Sequence, residues 1–296
     1  MDGSAAMKFF FFGLGFSSLA AVEQVRALDP TASIAGTVRS PEKAARLRDN
    51  GIAAHLFTGD APSEALRADL HAATHVVLSI APDAAGDPAL SQHRADLDAA
   101  PDLQWLCYYS TVGVYGDFGG AWIDETVPLV PRNERSDRRV AAEAAWRDYA
   151  GERGVELAIL RLAGIYGPGR STFDKLRDGT ARRLVKPEQV FNRIHVEDIG
   201  RVTALAAQQR LAGTFNLSDD EPAPPQDLVT HAAQLLGVAP PPEIAYADAE
   251  LTPMQRSFYA DNKRVANRAI KDALGIELLY PTYREGLAGI LAGEGQ

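Results

Sequence analysis

Strand-like and helix-like segments alternate without a break through the first 162 residues, and this rhythm limits the possible folds more than any other feature. Residues 8–12 (KFFFF) are an apolar strand candidate, followed by a glycine turn and a helix beginning near Ser17. A second strand at 32–38 leads to a helix at 41–50 with proline at its first position, then a third strand at 53–57 and a helix at 63–73. Residues 75–80 (HVVLSI) form a near-continuous apolar run, the pattern of a strand buried on both faces. A helix at 88–100, a strand at 103–109, an Ala-rich helix at 137–151 and a strand at 155–162 complete the series. Such alternation predicts an α/β fold with a doubly wound parallel sheet of the Rossmann type. Right-handed crossovers then bring the carboxyl ends of the strands to one edge, where ligands bind.

After residue 162 the rhythm changes. A loop at 164–170 precedes a polar stretch to 189, a short strand at 190–194, a helix at 196–209 and a strand at 214–217. The division expected is a dinucleotide-binding domain at 7–168 and a smaller substrate lobe at 169–296, with 190–217 packing back on the sheet. Residues 1–6 read as an extension ahead of a start at Met7. Lys8 and the apolar run to Val22 also have the outline of a signal peptide. The strand reading is preferred, because cleavage there would remove the first strand of a sheet that the next hundred residues continue. No other apolar stretch approaches the ~18 residues of a membrane span.

Of 296 residues, 46% are apolar and 23% charged, which suits a chain that buries a full core. Acidic residues outnumber basic ones 39 to 30, and the formal charge of -9 disfavours nucleic acid and anionic membranes as partners. Cys107 is the only cysteine, so no internal disulfide forms, and no Cys/His spacing marks a metal site. A cytoplasmic protein acting on a small molecule is expected.

The segment Gly13-Leu14-Gly15-Phe16-Ser17-Ser18 follows the first strand and opens a helix. It reads G-x-G-x-x-S where the dinucleotide fingerprint has G-x-G-x-x-G. Gly13 permits the tight turn, Gly15 admits a pyrophosphate to the backbone, and Ser18 is small enough for helix–strand packing. The phosphates would rest on the N–H groups of the helix start. Ile80, Ala81 and Pro82 after the fourth strand, and Ala163 after the sixth, are further candidates for lining this cofactor. At the end of the second strand, where an NAD site has an acid for the ribose hydroxyl, the sequence is Val38-Arg39-Ser40. Arg39 and Ser40 there favour the 2′-phosphate of NADP over NAD.

The segments Tyr108-Tyr-Ser-Thr-Val-Gly-Val-Tyr-Gly116, Leu160-Arg-Leu-Ala-Gly-Ile-Tyr-Gly-Pro-Gly169 and Ile194-His-Val-Glu-Asp-Ile199 resemble those of the extended short-chain dehydrogenases, the NAD-dependent epimerase/dehydratase family. The likeness runs from Met7 to about Leu291. It implies an oxidoreductase or epimerase in which Thr111 holds the catalytic Ser/Thr position and polarises the oxygen that gains or loses hydride. It also implies a homodimer through the helices at 88–100 and 137–151.

Two departures qualify that likeness. The family's Tyr-x-x-x-Lys sets a phenol base beside a cation that lowers its pKa. Aligned on Ala142-Glu143, those positions hold Arg135 and Arg139, and residues 116–148 contain no tyrosine. Arg135 cannot serve as a base, whereas Arg139 can still bond a nicotinamide ribose. The literal match Tyr259…Lys263 lies in the C-terminal lobe and is read as chance. The family's Arg-Asp pair for sugar-nucleotide phosphates is replaced by Phe191-Asn192, with Arg193 two residues before His195. The substrate pocket is therefore expected to draw on Tyr115, Tyr166, Arg170 and Arg193. Three readings remain: a family enzyme with an altered catalytic pair, a non-catalytic NADP-binding sensor, or an enzyme using Tyr115, Tyr166 or a water near Thr111 as acid or base. His195 is expected to cap or pack its helix. Cys107 is expected to be an inert buried thiol, and Arg139, Glu143 and Arg147 an ionic ladder on a solvated face.

Overall fold

The computed structural model describes residues 6–295, so most of the expected N-terminal extension lies outside the described residues. Seven strands form the main sheet: β1 (Lys8–Phe12), β2 (Ser33–Val38), β3 (Ala53–Leu56), β4 (His75–Leu78), β5 (Trp105–Thr111), β6 (Glu156–Leu162) and β7 (Gly213–Leu217). Their spatial order is β7-β6-β5-β4-β1-β2-β3. The pairs β1–β2, β1–β4, β2–β3 and β4–β5 are parallel, which makes this the doubly wound α/β fold that the sequence rhythm predicts.

The apolar run at 8–12 is an interior strand of the sheet: Phe9 pairs with Ile34 of β2 on one side and with His75 of β4 on the other. Phe10, Phe11 and Phe12 are fully buried, each stabilising the fold by about 1.5–3 kcal/mol relative to exposure. The strand reading of this segment therefore stands in place of the signal-peptide reading.

The main crossover helices are α1 (Phe16–Leu28), α2 (Pro41–Asp49), α3 (Arg67–His71), α4 (Pro88–Asp98), α5 (Glu134–Arg153) and α6 (Val196–Gln209). Caps set two of these starts. Ser40 accepts the Lys43 N–H ahead of α2, and Asp87 accepts those of Ala89 and Leu90 ahead of α4, each with proline at the first turn. Some boundaries differ from the sequence reading. The helix expected at 63–73 is split into a 3-10 turn (Glu64–Leu66) and α3, β5 runs on to Thr111, and α5 begins at Glu134. In the loop at 164–170 a short strand, Gly164–Tyr166, pairs in parallel with Arg193–His195.

The chain divides into two compact units. One comprises the residues up to Thr111, Glu134–Arg161 and Ile199–Phe215; the other comprises Val112–Asn133, Leu162–Asp198 and the chain from Asn216 onward. The division crosses the chain repeatedly, whereas the sequence reading had a single cut after residue 168. Crossing is invisible to a linear reading because it depends on which segments return to the sheet.

Within the second unit, Tyr166, Phe173, Tyr283 and Leu287 form a core. There the segment around Lys263 is stitched in by side-chain amides. Asn192 donates to Lys263 O at 3.0 Å and accepts from Val265 N at 2.8 Å. Among the described residues, no helix is long and apolar enough to cross a membrane, and no group of three or more His, Cys, Asp or Glu side chains is placed to hold a metal.

Candidate functional site

The first unit carries a complete glycine turn between β1 and α1. Gly13 sits at φ +97°, and a Cβ there would lie 2.8 Å from Ser79 Oγ and 2.9 Å from Ile80 Cγ2. Two bonds to β2 hold the turn: Gly13 N–H donates to Thr37 Oγ1 and Leu14 N–H to Thr37 O, both at 2.8 Å. Ser18 is fully buried and donates to Ser79 Oγ at 2.9 Å, while Ser79 donates to Gly13 O at 2.6 Å. Serine at the third fingerprint position thus ties the turn to the end of β4.

Gly15 is different. Its φ is -90°, and a Cβ built on it meets nothing within 4 Å. The protein itself makes no demand for glycine there, whereas a pyrophosphate lying against the backbone would. No side chain caps α1 and no acid occupies its first turn, which holds Phe16, Ser17 and Ser18, so the helix start keeps its positive end for an anion. A dinucleotide fits this cradle.

At the end of β2, Arg39 is exposed and Ser40 is half-buried. The Ser40 hydroxyl accepts the Lys43 N–H at 3.3 Å, so it caps α2 and still has its own proton to donate. Burial and the fields of Arg46 and Arg39 together lower the Lys43 pKa, which places three cations in one neighbourhood. The sequence reading had only Arg39 and Ser40. Lys43 and Arg46 lie on α2, one and two turns past Ser40. Beyond β4, Ile80 and Pro82 are half-buried and Ala81 is exposed.

Thr111 is the last residue of β5 and is half-buried, and Arg135 is exposed in the first turn of α5. One turn on, Arg139 folds back on the end of β5. Its Nη1 donates to Tyr108 Oη and to Tyr109 O, both at 2.9 Å, and approaches Ile80 O at 3.5 Å. Its guanidinium also stands over the Tyr108 ring, 5.6 Å from the centroid. Burial pushes the Tyr108 phenol well above its ordinary range, so it stays a neutral acceptor for Arg139.

The ionic ladder expected at Arg139, Glu143 and Arg147 is not a solvated face. Glu143 is fully buried and accepts from Ser110 Oγ at 2.6 Å, from Arg161 at 3.0 and 2.7 Å, and from Arg147 at 3.0 Å. Burial opposes its charge, but the Arg161 hydrogen bonds and charge, with Ser110 and Arg147, hold its pKa below the usual value.

The second unit holds the remaining candidates. Tyr115 is fully buried and donates to Asn216 Oδ1 at 2.6 Å. Tyr166 is buried against Gly286 and points its hydroxyl at Thr282 O, 3.5 Å away; burial raises its pKa far above the phenol range. Both are interior groups with their hydroxyls turned to internal acceptors. Arg193 is also buried. Its Nη1 serves Phe191 O and Ala223 O, both at 3.1 Å, and its guanidinium faces the Tyr283 ring. Its polar tip is thus taken up by internal acceptors. Ala163 is buried, with its N–H bonded to Leu217 O at 3.0 Å; Arg170 is exposed at a bend closed on Gly167.

His195 accepts the Glu197 N–H at 3.3 Å, the capping role expected of it. Lys263 is buried with its ammonium on Gly116 O at 2.6 Å, so it braces a turn rather than activating Tyr259. Cys107 is fully buried, and burial raises its thiol pKa far above the usual range.

Comparison with known proteins agrees with this architecture. A conserved protein of unknown function from Silicibacter pomeroyi DSS is 43% identical, with a TM-score of 0.85 over 97% of this chain and 99% of its own. A Bacillus anthracis dTDP-glucose 4,6-dehydratase, solved in complex with NAD, shares the fold at 16% identity, with a TM-score of 0.76 over 98% of this chain and 97% of its own. A Streptomyces 3-diazoavenalumate denitrifying reductase is 30% identical over 143 residues, 44% of this chain. That match spans 45% of the reductase's own length. The profile of the NAD dependent epimerase/dehydratase family matches residues 27–218, and the chain belongs to that family.

Proposed function

We propose that this protein is an NADP(H)-dependent reductase that works without a phenolic base. The observation that carries the reading is the place of Arg139. Its guanidinium is held on the end of β5 by Tyr108 and Tyr109. This supports the alignment in which Arg139 would take the place of the family's lysine and Arg135, one turn earlier, that of its tyrosine.

Gly13–Ser18 would hold the pyrophosphate, Arg39, Ser40, Lys43 and Arg46 the 2′-phosphate, and Ile80, Ala81 and Pro82 would lie along the remainder of the cofactor. Arg139 would bond the nicotinamide ribose, using donors that Tyr108 and Tyr109 leave spare. When bound, the reduced nicotinamide supplies a hydride to an acceptor. Thr111 would donate a hydrogen bond to an acceptor oxygen, and the Arg139 charge would favour electron density gathering nearby. Neither residue removes a proton. Epimerase and dehydratase chemistry begins by deprotonating a sugar hydroxyl, so reduction suits this residue set better. An acceptor that leaves no alkoxide suits it best. Replacement of an arene diazo group by hydride is such a reaction, because dinitrogen departs and no oxygen needs a proton. The Streptomyces relative is named for a reaction of this kind.

We further propose a homodimer through α4 and α5 and a cytoplasmic setting. The test is consumption of NADPH against a panel of ketones and diazoarenes. Turnover of diazoarenes supports the reading. Tight NADPH binding without turnover of any acceptor would replace it with the sensor reading, and turnover lost on Tyr115→Phe or Tyr166→Phe would replace it with a different acid/base.

A further inference from the structure

Two other arginines on α5 are in ion pairs: Arg138 with Glu134 and Arg147 with Glu143. Arg139, half-buried between them, makes no ion pair among the described residues. Neutral acceptors hold it instead, namely the Tyr108 phenol and the carbonyls of Tyr109 and Ile80. All of these bonds fall on one nitrogen, Nη1. Tyr108 is itself fully buried, so its hydroxyl cannot swing away to water.

We propose that Tyr108 is a positioning residue, which clamps one edge of the Arg139 guanidinium so that its other edge is presented as a fixed positive charge to the bound ligand. This rests on the cofactor site assigned above. The clamp answers a difficulty peculiar to this chain. A lysine at this position approaches as a compact ammonium with freely turning donors, whereas a guanidinium carries its donors in a rigid planar fork whose orientation must be fixed for it to act at one point. Two acceptors at 2.9 Å on one nitrogen, with an aromatic ring beneath the plane, provide that fixation. Burial raises the pKa of Asp87, the buried carboxyl that feels this guanidinium.

The test uses Tyr108→Phe, which keeps the ring and removes only the hydroxyl. Guanidinium NMR signals of Arg139 are assigned by their loss in Arg139→Lys. In the unaltered protein, without cofactor, the Nη protons should be resolved from one another because rotation about Cζ–Nε is hindered. In Tyr108→Phe they should merge, and NADP affinity by calorimetry should fall about fivefold, the worth of one hydrogen bond. Rotation that is already fast in the unaltered protein, or signals unchanged in Tyr108→Phe, would overturn the clamp. If the unaltered protein binds no NADP at all, the proposed function fails, while the guanidinium signals still decide whether the clamp exists.

Discussion

Arg161 on β6 engages both oxygens of the Glu143 carboxylate on α5, with Nε at 3.0 Å from one and Nη2 at 2.7 Å from the other. Both side chains are buried. Glu143 follows Arg139 by one helical turn, so this pair fixes the register in which α5 offers Arg139 to the end of β5. Ser110, the residue before Thr111, adds a third bond to the same carboxylate.

Glu143→Gln retains the shape of the side chain and removes its charge, leaving Arg161 buried without a counter-charge. Breaking a buried pair in this way costs about 3–5 kcal/mol. Urea unfolding should show a loss of that size. A loss below about 1 kcal/mol would mean that the pair does not anchor α5.

Most of the sheet was legible in the sequence because its inner strands, β1, β4 and β5 above all, are buried and read as apolar runs. The extension of β5 over Ser110 and Thr111 was not. Two hydroxyl residues signal a strand end, and the partner that satisfies Ser110 comes from 33 residues further along. Glu143 misled for the same reason: spacing by four from two arginines looks like a solvated ladder until Arg161 arrives from another strand. The glycine turn was legible residue by residue, since its geometry is local. Tyr166 and Arg193 were not, because their polar tips meet carbonyls that sequence does not bring near. Tyr108 was hidden within the apolar text of a core strand.

Cofactor choice follows from the basic end of β2 and α2. NADPH should bind about tenfold more tightly than NADH, since one charge-assisted contact to a phosphate is worth roughly 1.5–3 kcal/mol. Arg39→Ala should remove most of that difference and leave NADH binding nearly unchanged, with Lys43→Ala acting in the same direction. Equal affinities for the two cofactors in calorimetry of the unaltered protein would contradict the assignment.

His75 and His195 are buried, and burial lowers both pKa values to about 4. The unfolded chain takes up these protons near the ordinary imidazole value of 6.5, earlier than the folded one. Their contribution to stability is therefore complete above that value and is lost as the pH falls toward 4. His75→Phe, beside Phe9 and Trp105, should make the urea midpoint less sensitive to pH across this window. An unchanged pH dependence would show that His75 is not buried as a neutral ring.

Assembly is checked by light scattering. Helices α4 and α5 are joined within one chain by Arg94 and Glu152, and their alanines allow close approach of a second pair. A two-fold dimer should persist at micromolar concentration, and a charged substitution at Ala141 should weaken it. A monomer at that concentration would contradict the proposed pairing.

The central claim is that hydride transfer proceeds here without a general base or acid of the phenol type. Such a group contributes about 10²–10⁴-fold to reactions that need one. The direct measurement is single-turnover oxidation of bound NADPH by a diazoarene carboxylate and, separately, by the matching aryl ketone, each followed from pH 6 to 10. The account expects the diazoarene to react at least about a hundredfold faster, with a rate that does not change across the range, and Arg135→Tyr with Arg139→Lys to raise the ketone rate and give it a pH dependence. Ketone reduction by the unaltered protein at ordinary enzyme rates, with a titration step near neutral pH, would contradict it.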